Sequence, residues 1–140
     1  WKEKQPILDR LFSPQTPPLE RIHQWCEFMY EVQKEKAEQY GHVCGCPYVS
    51  LGAEVATQDE KIRAKSDELN DRGRKYLECT IADAIRADLI TAKDPILTAQ
   101  RVWSMVLGMM VEAKVQNNLE LLKDLEPTVM TLLGAKPVLA

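Results

Sequence analysis

The sequence predicts an all-α fold made of one domain. Apolar residues recur at intervals of three and four along most of the chain, which is the spacing of amphipathic helices, whereas half-buried strands would show strict alternation. The 140 residues include only 6 glycines, and 45% of them are hydrophobic, which is enough apolar material for one core. We therefore expect residues 1–140 to form a single helical domain.

The first helix is expected at about residues 2–12. Its apolar face is formed by Ile7, Leu8, Leu11 and Phe12. Because no N-cap residue precedes this helix, Trp1 is interpreted as an internal helical position, and a further segment upstream of Trp1 is expected.

The second helix is expected at about residues 17–40, after a proline-rich turn. Thr16 is predicted to cap it, since a hydroxyl at the N-cap accepts a hydrogen bond from a free amide, and Pro17 suits the first helical position. Gly41 is predicted to end this helix. Its buried stripe is predicted to consist of Leu19, Ile22, Cys26 and Met29.

A short helix is expected at about residues 49–56 and a long one at about residues 58–90. The segment "TQDE" is predicted to be a capping box, in which the Thr57 hydroxyl accepts the amide of Glu60 and the Glu60 carboxylate accepts the amide of Thr57. Leu77, Ile81 and Ile85 widen the apolar stripe of the long helix, so its second half is expected to be the more buried part.

The fifth helix is expected at about residues 95–117, with Asp94 as its cap and Pro95 at its first position. More than half of its circumference is apolar. The apolar positions are Ala99, Val102, Trp103, Met105, Val106, Met109 and Met110. A helix with this pattern is expected to lie between two layers, or between a core and a partner.

The last helix is expected at about residues 119–133 and is rich in leucine. Pro127 is predicted to kink or split it, because a proline inside a helix removes a hydrogen bond and clashes with the preceding turn. Gly134 and Pro137 are expected to close it.

The composition argues against several classes of function. The net charge of -3 does not suit a surface that neutralises phosphates, so these 140 residues are not expected to bind DNA by themselves. No apolar run reaches the about 18 residues of a membrane span, and no signal peptide is recognised, so a cytoplasmic protein without a membrane partner is expected. The two histidines form no nucleophile, base and orienter set, and no phosphate loop is present. We therefore predict a protein that is not an enzyme, with no catalytic residues and no cofactor.

His42, Cys44 and Cys46 form the one cluster of candidate metal ligands or reactive thiols. Structural zinc sites use wider cysteine spacings and a second ligand pair, which this chain does not offer, so no metal site is predicted. A reactive thiol needs basic neighbours or a helix N-terminus, and neither is evident here. A tight turn with Cys46 directed inward is the favoured interpretation, and a thiol or metal sensor remains an alternative.

The order of these segments resembles the C-terminal domain of TetR-family transcriptional regulators. The resemblance rests on "GCPYVSLGAEV" at residues 45–55 followed by an acidic capped helix, and on "WSMVLGMMVEAK" and "LELLKDLEPTVMTLLG", which are similar to the closing helices of the family. It covers nearly the whole chain. The helix–turn–helix DNA-binding domain that precedes this domain in the family is expected to be absent from these 140 residues.

The resemblance implies an effector-sensing domain of a repressor. The family forms homodimers in which the last two helices of each protomer build a four-helix bundle, and effector binding releases DNA through the N-terminal domain. The implied dimer residues are Val102, Met105, Met109, Leu122, Val129 and Leu133. The implied ligand-binding residues are Phe12, Trp25, Met29, Cys46, Leu51, Tyr76, Trp103 and Met110.

The aromatic and methionine side chains indicate the kind of effector. Several Trp, Tyr and Met residues that face one interior suit a cavity for a bulky apolar or aromatic molecule. The rival interpretation is a helical scaffold in which these side chains only fill the core.

Overall fold

The computed structural model describes residues 2–137, which form an all-α fold as the sequence predicts, and 76% of them are helical. The helices are α1 (Gln5–Leu11), α2 (Pro18–Tyr40), α3 (Pro47–Val55), α4 (Glu60–Arg86), α5 (Pro95–Gln116) and α6 (Leu125–Leu133), with a 3-10 helix at Leu119–Asp124. This part of the chain contains no strand, although Ile90 and Ala135 form an isolated antiparallel bridge. The helical position expected for Trp1 lies outside the described residues.

The first two helices begin later than predicted because of their prolines. α1 begins three residues later than expected, since Pro6 fits the first turn of a helix but would clash with the preceding turn in a helix interior. Pro17 has extended backbone angles (φ -54°, ψ 144°) because it precedes Pro18, so Pro17 and not Thr16 is the N-cap of α2. Gly41 ends α2 in the left-handed conformation at φ 78°, as predicted.

The capping box predicted at Thr57 does not form. Asp59 caps α4 instead, because its Oδ1 accepts hydrogen bonds from the amides of Lys61 at 2.9 Å and Ile62 at 3.0 Å. Thr57 lies in the turn that closes α3, where the amide of Asp59 donates to the carbonyl of Val55 at 2.9 Å. The cap is therefore displaced by two residues, because Thr57 is part of the turn that follows α3.

The chain reverses at the end of α4, four residues earlier than expected, where Asp88 has a positive φ of 56°. The segment after this turn pairs with the segment after α6. The amide of Thr91 donates to the carbonyl of Gly134, and the amide of Lys136 donates to the carbonyl of Leu89, both at 2.9 Å. These bonds fix the end of α6 to the connection between α4 and α5.

The start of α5 is as predicted, whereas the last element divides at a different residue. Asp94 caps α5 by accepting the amide of Leu97 at 2.9 Å, and Pro95 is the first helical residue. The last element divides at Leu125 and not at Pro127. Pro127 is the third residue of α6, where a missing amide hydrogen removes no intrahelical bond, so it does not break the helix.

The core lies among α2, α4, α5 and the two C-terminal helical segments. Its most buried apolar side chains are Ile22, Leu77, Ile81, Ile90, Val102, Val106, Leu122, Leu125, Val129 and Leu133. None of the helices within residues 2–137 combines the length and the apolar character that crossing a membrane requires.

Four residues that were expected at the dimer interface belong to this core. Val102, Leu122, Val129 and Leu133 are each at most 2% exposed, because α5, the 3-10 helix and α6 pack on one another and the last two also pack on α2, all within a single chain. They have no surface to offer to a partner, and the prediction is corrected at these positions. Met105 and Met109 are half-buried and lie next to the exposed side of α5.

A buried ion pair joins α2 to α4. Arg21 is 4% exposed, and its guanidinium donates to Asp83 Oδ2 at 2.6 Å, to the carbonyl of Thr16 at 2.6 Å and to the carbonyl of Pro14 at 3.1 Å. The hydrogen bond from Arg21 is the main reason that the pKa of Asp83 lies below its ordinary value, and Arg86 adds to this effect. One side chain thus holds both the neighbouring helix and the turn between α1 and α2.

We predict that Asp83→Ala lowers the free energy of unfolding by about 3 kcal/mol, because it leaves the buried Arg21 without a counterion. Asp71→Ala on the same helix is the matched control, since Asp71 pairs with Arg74 at the surface, and it should cost less than about 1 kcal/mol. Urea unfolding of both variants measures the difference, and equal losses would contradict the prediction. Because the folded pKa of Asp83 is lowered, its contribution should disappear as the pH falls below about 4.

Candidate ligand-binding site

A cavity of about 450 Å³ lies between α1, α2, α3, α4 and α5. Its wall is mostly apolar. Among the lining residues are Ile7, Leu8, Phe12, Trp25, Phe28, Met29, Val32, Leu69, Trp103, Leu107 and Met110. The volume falls within the range of about 300 to 1,000 Å³ that is common for sites of small molecules.

Four aromatic rings connect α1, α2, α4 and α5 beside the cavity. Trp25 of α2 and Trp103 of α5 are stacked nearly parallel, with 6.2 Å between their centroids and 11° between their planes. Phe12 at the end of α1 lies 6.0 Å from the ring of Trp25 and 5.4 Å from that of Tyr76 on α4. Such tilted and stacked pairs are favourable arrangements of aromatic rings.

Trp103 is fixed by α4 as well as by Trp25. Its indole nitrogen donates to Asn70 Oδ1 at 3.1 Å, and Asn70 Nδ2 donates to the carbonyl of Ser66 at 2.8 Å. The ring lies over Gly73, where a Cβ atom would be 2.3 Å from Trp103 Cη2. Only a glycine at position 73 leaves room for the tryptophan in this orientation.

Gln33 holds the turn between α2 and α3 against the cavity. Its side chain is buried, accepts the amide of Gly45 at 2.8 Å and donates to the carbonyl of Gly45 at 3.2 Å. Gly45 has a φ of 67°, and a Cβ atom there would be 3.3 Å from the side chain of Lys114. This double hydrogen bond positions Cys46, the next residue, in the cavity wall.

Six of the eight residues that were expected to bind a ligand line this one cavity. They are Phe12, Trp25, Met29, Cys46, Trp103 and Met110. Tyr76 is not among the lining residues: it contacts Phe12, and its hydroxyl donates to Asp9 Oδ1 at 2.5 Å. Burial, together with that bond, raises the pKa of Tyr76 to about 12. Its role in this structure is to hold α1 against α4.

Leu51 was also expected to bind the ligand, and this prediction is corrected, because Leu51 is 54% exposed and lies outside the cavity. α3 turns Gly52 toward α4, where a Cβ atom would be 2.7 Å from Ser66 Oγ. This close contact between the two helices leaves Leu51 on the outer side of α3.

Gln33 and Asn70 belong to the site although neither was predicted from the sequence. Gln33 lies four residues after Met29 and seven after Cys26, so it is a polar residue on an apolar stripe. Asn70 likewise follows Leu69 on α4 and precedes Gly73 by three residues. A polar side chain on a buried face must find a partner, and this requirement is the signal by which both could have been found.

The turn with His42 and Cys44 does not bring together a set of metal ligands. Cys44 Sγ lies 4.0 Å from His42 Nδ1 and 3.6 Å from the carbonyl oxygen of His42. Within residues 2–137, no group of three or more His, Cys, Asp or Glu side chains is arranged to hold a metal ion. A different thiol, Cys26, is buried beside α6, and burial raises its pKa to about 12.

A second cavity of about 230 Å³ lies between α2 and the C-terminal segments. It contains a hydrogen-bonded pair, in which His23 Nδ1 lies 2.8 Å from Glu126 Oε2. The hydrogen bond to Glu126 raises the pKa of His23 above its ordinary value. The smaller volume and the charged wall make this cavity a poorer candidate for an apolar ligand than the first one.

Comparison with known proteins gives one result. A family model described as tetracyclin repressor-like, C-terminal domain, matches residues 18–127. No match was found among curated proteins or among solved structures. The matched segment begins with α2 and includes α3, α4 and α5, which form most of the cavity wall, whereas α1 precedes it.

We predict that Gly73→Ala destabilises the chain by about 1 to 3 kcal/mol, although alanine favours helices, because the added methyl group overlaps the ring of Trp103. The combination with Trp103→Phe tests this cause, since phenylalanine lacks the ring atoms that would be overlapped. In that background, Gly73→Ala should cost much less. Chemical denaturation of the two single variants and the double variant measures the coupling, and strictly additive losses would contradict the assignment.

Proposed function

The chain belongs to the TetR family of transcriptional regulators, as their C-terminal domain, and we propose that its large cavity binds a small apolar or aromatic effector. In this proposal the domain also forms a homodimer and acts within a repressor. Effector binding would release DNA through the N-terminal DNA-binding domain that the family relationship implies.

The observation that carries the proposal is an apolar cavity whose uncharged polar side chains Gln33, Asn70 and Trp103 are already hydrogen-bonded within the protein. Gln33 is bonded to Gly45, and Trp103 and Asn70 are bonded to each other. Protein interiors are normally close-packed, so an apolar space of about 450 Å³ is unusual and favours binding of an apolar molecule. It also favours a sensor over a scaffold whose aromatic side chains only fill a core.

The position of α1 supports a coupling between the cavity and a preceding domain. Ile7, Leu8 and Phe12 line the cavity, so an occupant would contact the first helix directly. α1 is only seven residues long and is joined to α4 through Tyr76. A shift of α1 would be sufficient for regulation if it changed the relative stability of the DNA-binding and DNA-released states by about 1 to 3 kcal/mol.

The exposed side of α5 and α6 supports a homodimer interface. Four apolar side chains of these helices are between 41% and 79% exposed, namely Leu97, Val111, Val115 and Leu132. Met105 and Met109 of α5 are half-buried. Gly108 on the same helix has open space where its Cβ atom would be, so a partner helix could approach closely. Exposed apolar patches of this kind mark protein–protein interfaces.

We predict that Met29→Trp, which places a larger side chain in the cavity, weakens binding of the neutral probes 1-decanol and 2-naphthol at least about 10-fold, a loss of about 1.4 kcal/mol. Leu51→Trp is the matched control, because it adds a tryptophan outside the cavity and should leave affinity unchanged. Isothermal titration calorimetry with both variants measures the effect. Equal affinities for the two variants and the unmodified chain would contradict the proposed site.

We predict that Val111→Lys raises the dissociation constant of the dimer at least about 10-fold, because an unpaired ammonium group would be buried against the partner. Leu51→Lys on α3 is the control, since it changes an equally apolar and exposed residue away from α5 and α6. Sedimentation velocity over a range of concentrations measures both. Unchanged association of the Val111 variant would remove this side of α5 from the interface.

A further inference from the structure

Three charged side chains line the cavity where it meets solvent. They are Lys4, in the turn before α1, and Glu35 and Lys36 of α2. Lys4 and Glu35 are exposed, and Lys36 is half-buried. The opening of the cavity therefore carries one more positive than negative charge, although the chain as a whole has a net charge of -3.

Neither lysine at this opening has a carboxylate partner within the described part of the chain. The Nζ atom of Lys4 lies 5.2 Å from the centre of the Tyr48 ring, which is a cation–π contact. Lys34, two residues before Lys36, is by contrast paired with Glu31 at 3.5 Å. Lys36 is half-buried, and a lysine in such a position gains more from an added anion than a fully exposed one does, because less water screens the pair.

The interior of the cavity has little to offer to a polar group. The side chains of Gln33 and Asn70 use both their donor and their acceptor atoms within the protein, and the indole N–H of Trp103 is also engaged. A polar group placed among these side chains would lose its hydration without a new hydrogen bond. The polar part of a ligand is therefore best placed at the opening, where the lysines lie.

We propose that the occupant of this cavity is an amphipathic monocarboxylate, whose apolar chain or ring system fills the interior and whose carboxylate lies beside Lys36 and Lys4. This inference rests on the proposed function and specifies its ligand class. The cavity volume of about 450 Å³ lies within the range of about 300 to 1,000 Å³ that is common for sites of small molecules. A medium-chain carboxylate such as decanoate fits this volume.

Three probes with the same chain and different head groups test the proposal: decanoate, 1-decanol and decylamine. Titration calorimetry at low salt should give decanoate an affinity at least about 3-fold higher than that of 1-decanol, a modest factor because exposed ion pairs contribute little. Decylamine should have the lowest affinity, because its ammonium group would be repelled by the lysines. The preference for decanoate should decrease at high salt. In the double variant Lys4→Gln, Lys36→Gln, decanoate should bind no more tightly than 1-decanol.

The control variant is Lys34→Gln, which removes a charge from the same helix without changing the cavity. It should retain the preference for decanoate. Equal binding of decanoate and 1-decanol by the unmodified chain would overturn the carboxylate assignment and leave the apolar effector site intact. A preference that persists in the double variant would also overturn it, because the head group would then be held elsewhere. If none of the three probes binds, both this inference and the proposed function are wrong.

Discussion

The position of the Trp103 side chain determines whether the cavity exists. The ring lies over Gly73 of α4, is stacked against Trp25 of α2 and donates its N–H to Asn70. These contacts oppose rotation of the ring into the adjacent space. Side chains in a protein interior otherwise rearrange to close-packed density, so a large side chain fixed from several sides is what keeps about 450 Å³ open.

Buried polar side chains of α2 fix the turns at both ends of that helix. Arg21 binds the carbonyls of Pro14 and Thr16 in the turn before α2, and Gln33 binds Gly45 in the turn after it. Each turn leads to an element of the cavity wall, namely α1 and α3. The apolar stripe of α2 forms part of the core, and its few polar positions set where the neighbouring elements lie.

Helical periodicity was sufficient to predict the all-α class and which segments are helical, because an amphipathic stripe depends only on nearby residues. Helix ends were less predictable where two local signals compete, as at Pro17 and Pro18, or at Thr57 and Asp59. The aromatic residues of the site could be predicted from their stripes, yet Tyr76 shows the limit. It lies only three residues from Gly73, but it faces Phe12 and Asp9, which are distant in sequence.

The side of an apolar helix that faces a partner was harder to predict for a similar reason. Neighbouring positions on a helix differ by about 100°, so Val102 and Trp103 both read as apolar although one is in the core and the other lines the cavity.

The pairing of residues 89–91 with residues 134–136 joins the segment after α4 to the end of α6. Gly134 fits there because a Cβ atom would be 1.9 Å from Thr91 Oγ1. Anything that restrains the end of α6 therefore also restrains the connection between α4 and α5, although these segments are more than 40 residues apart in the sequence.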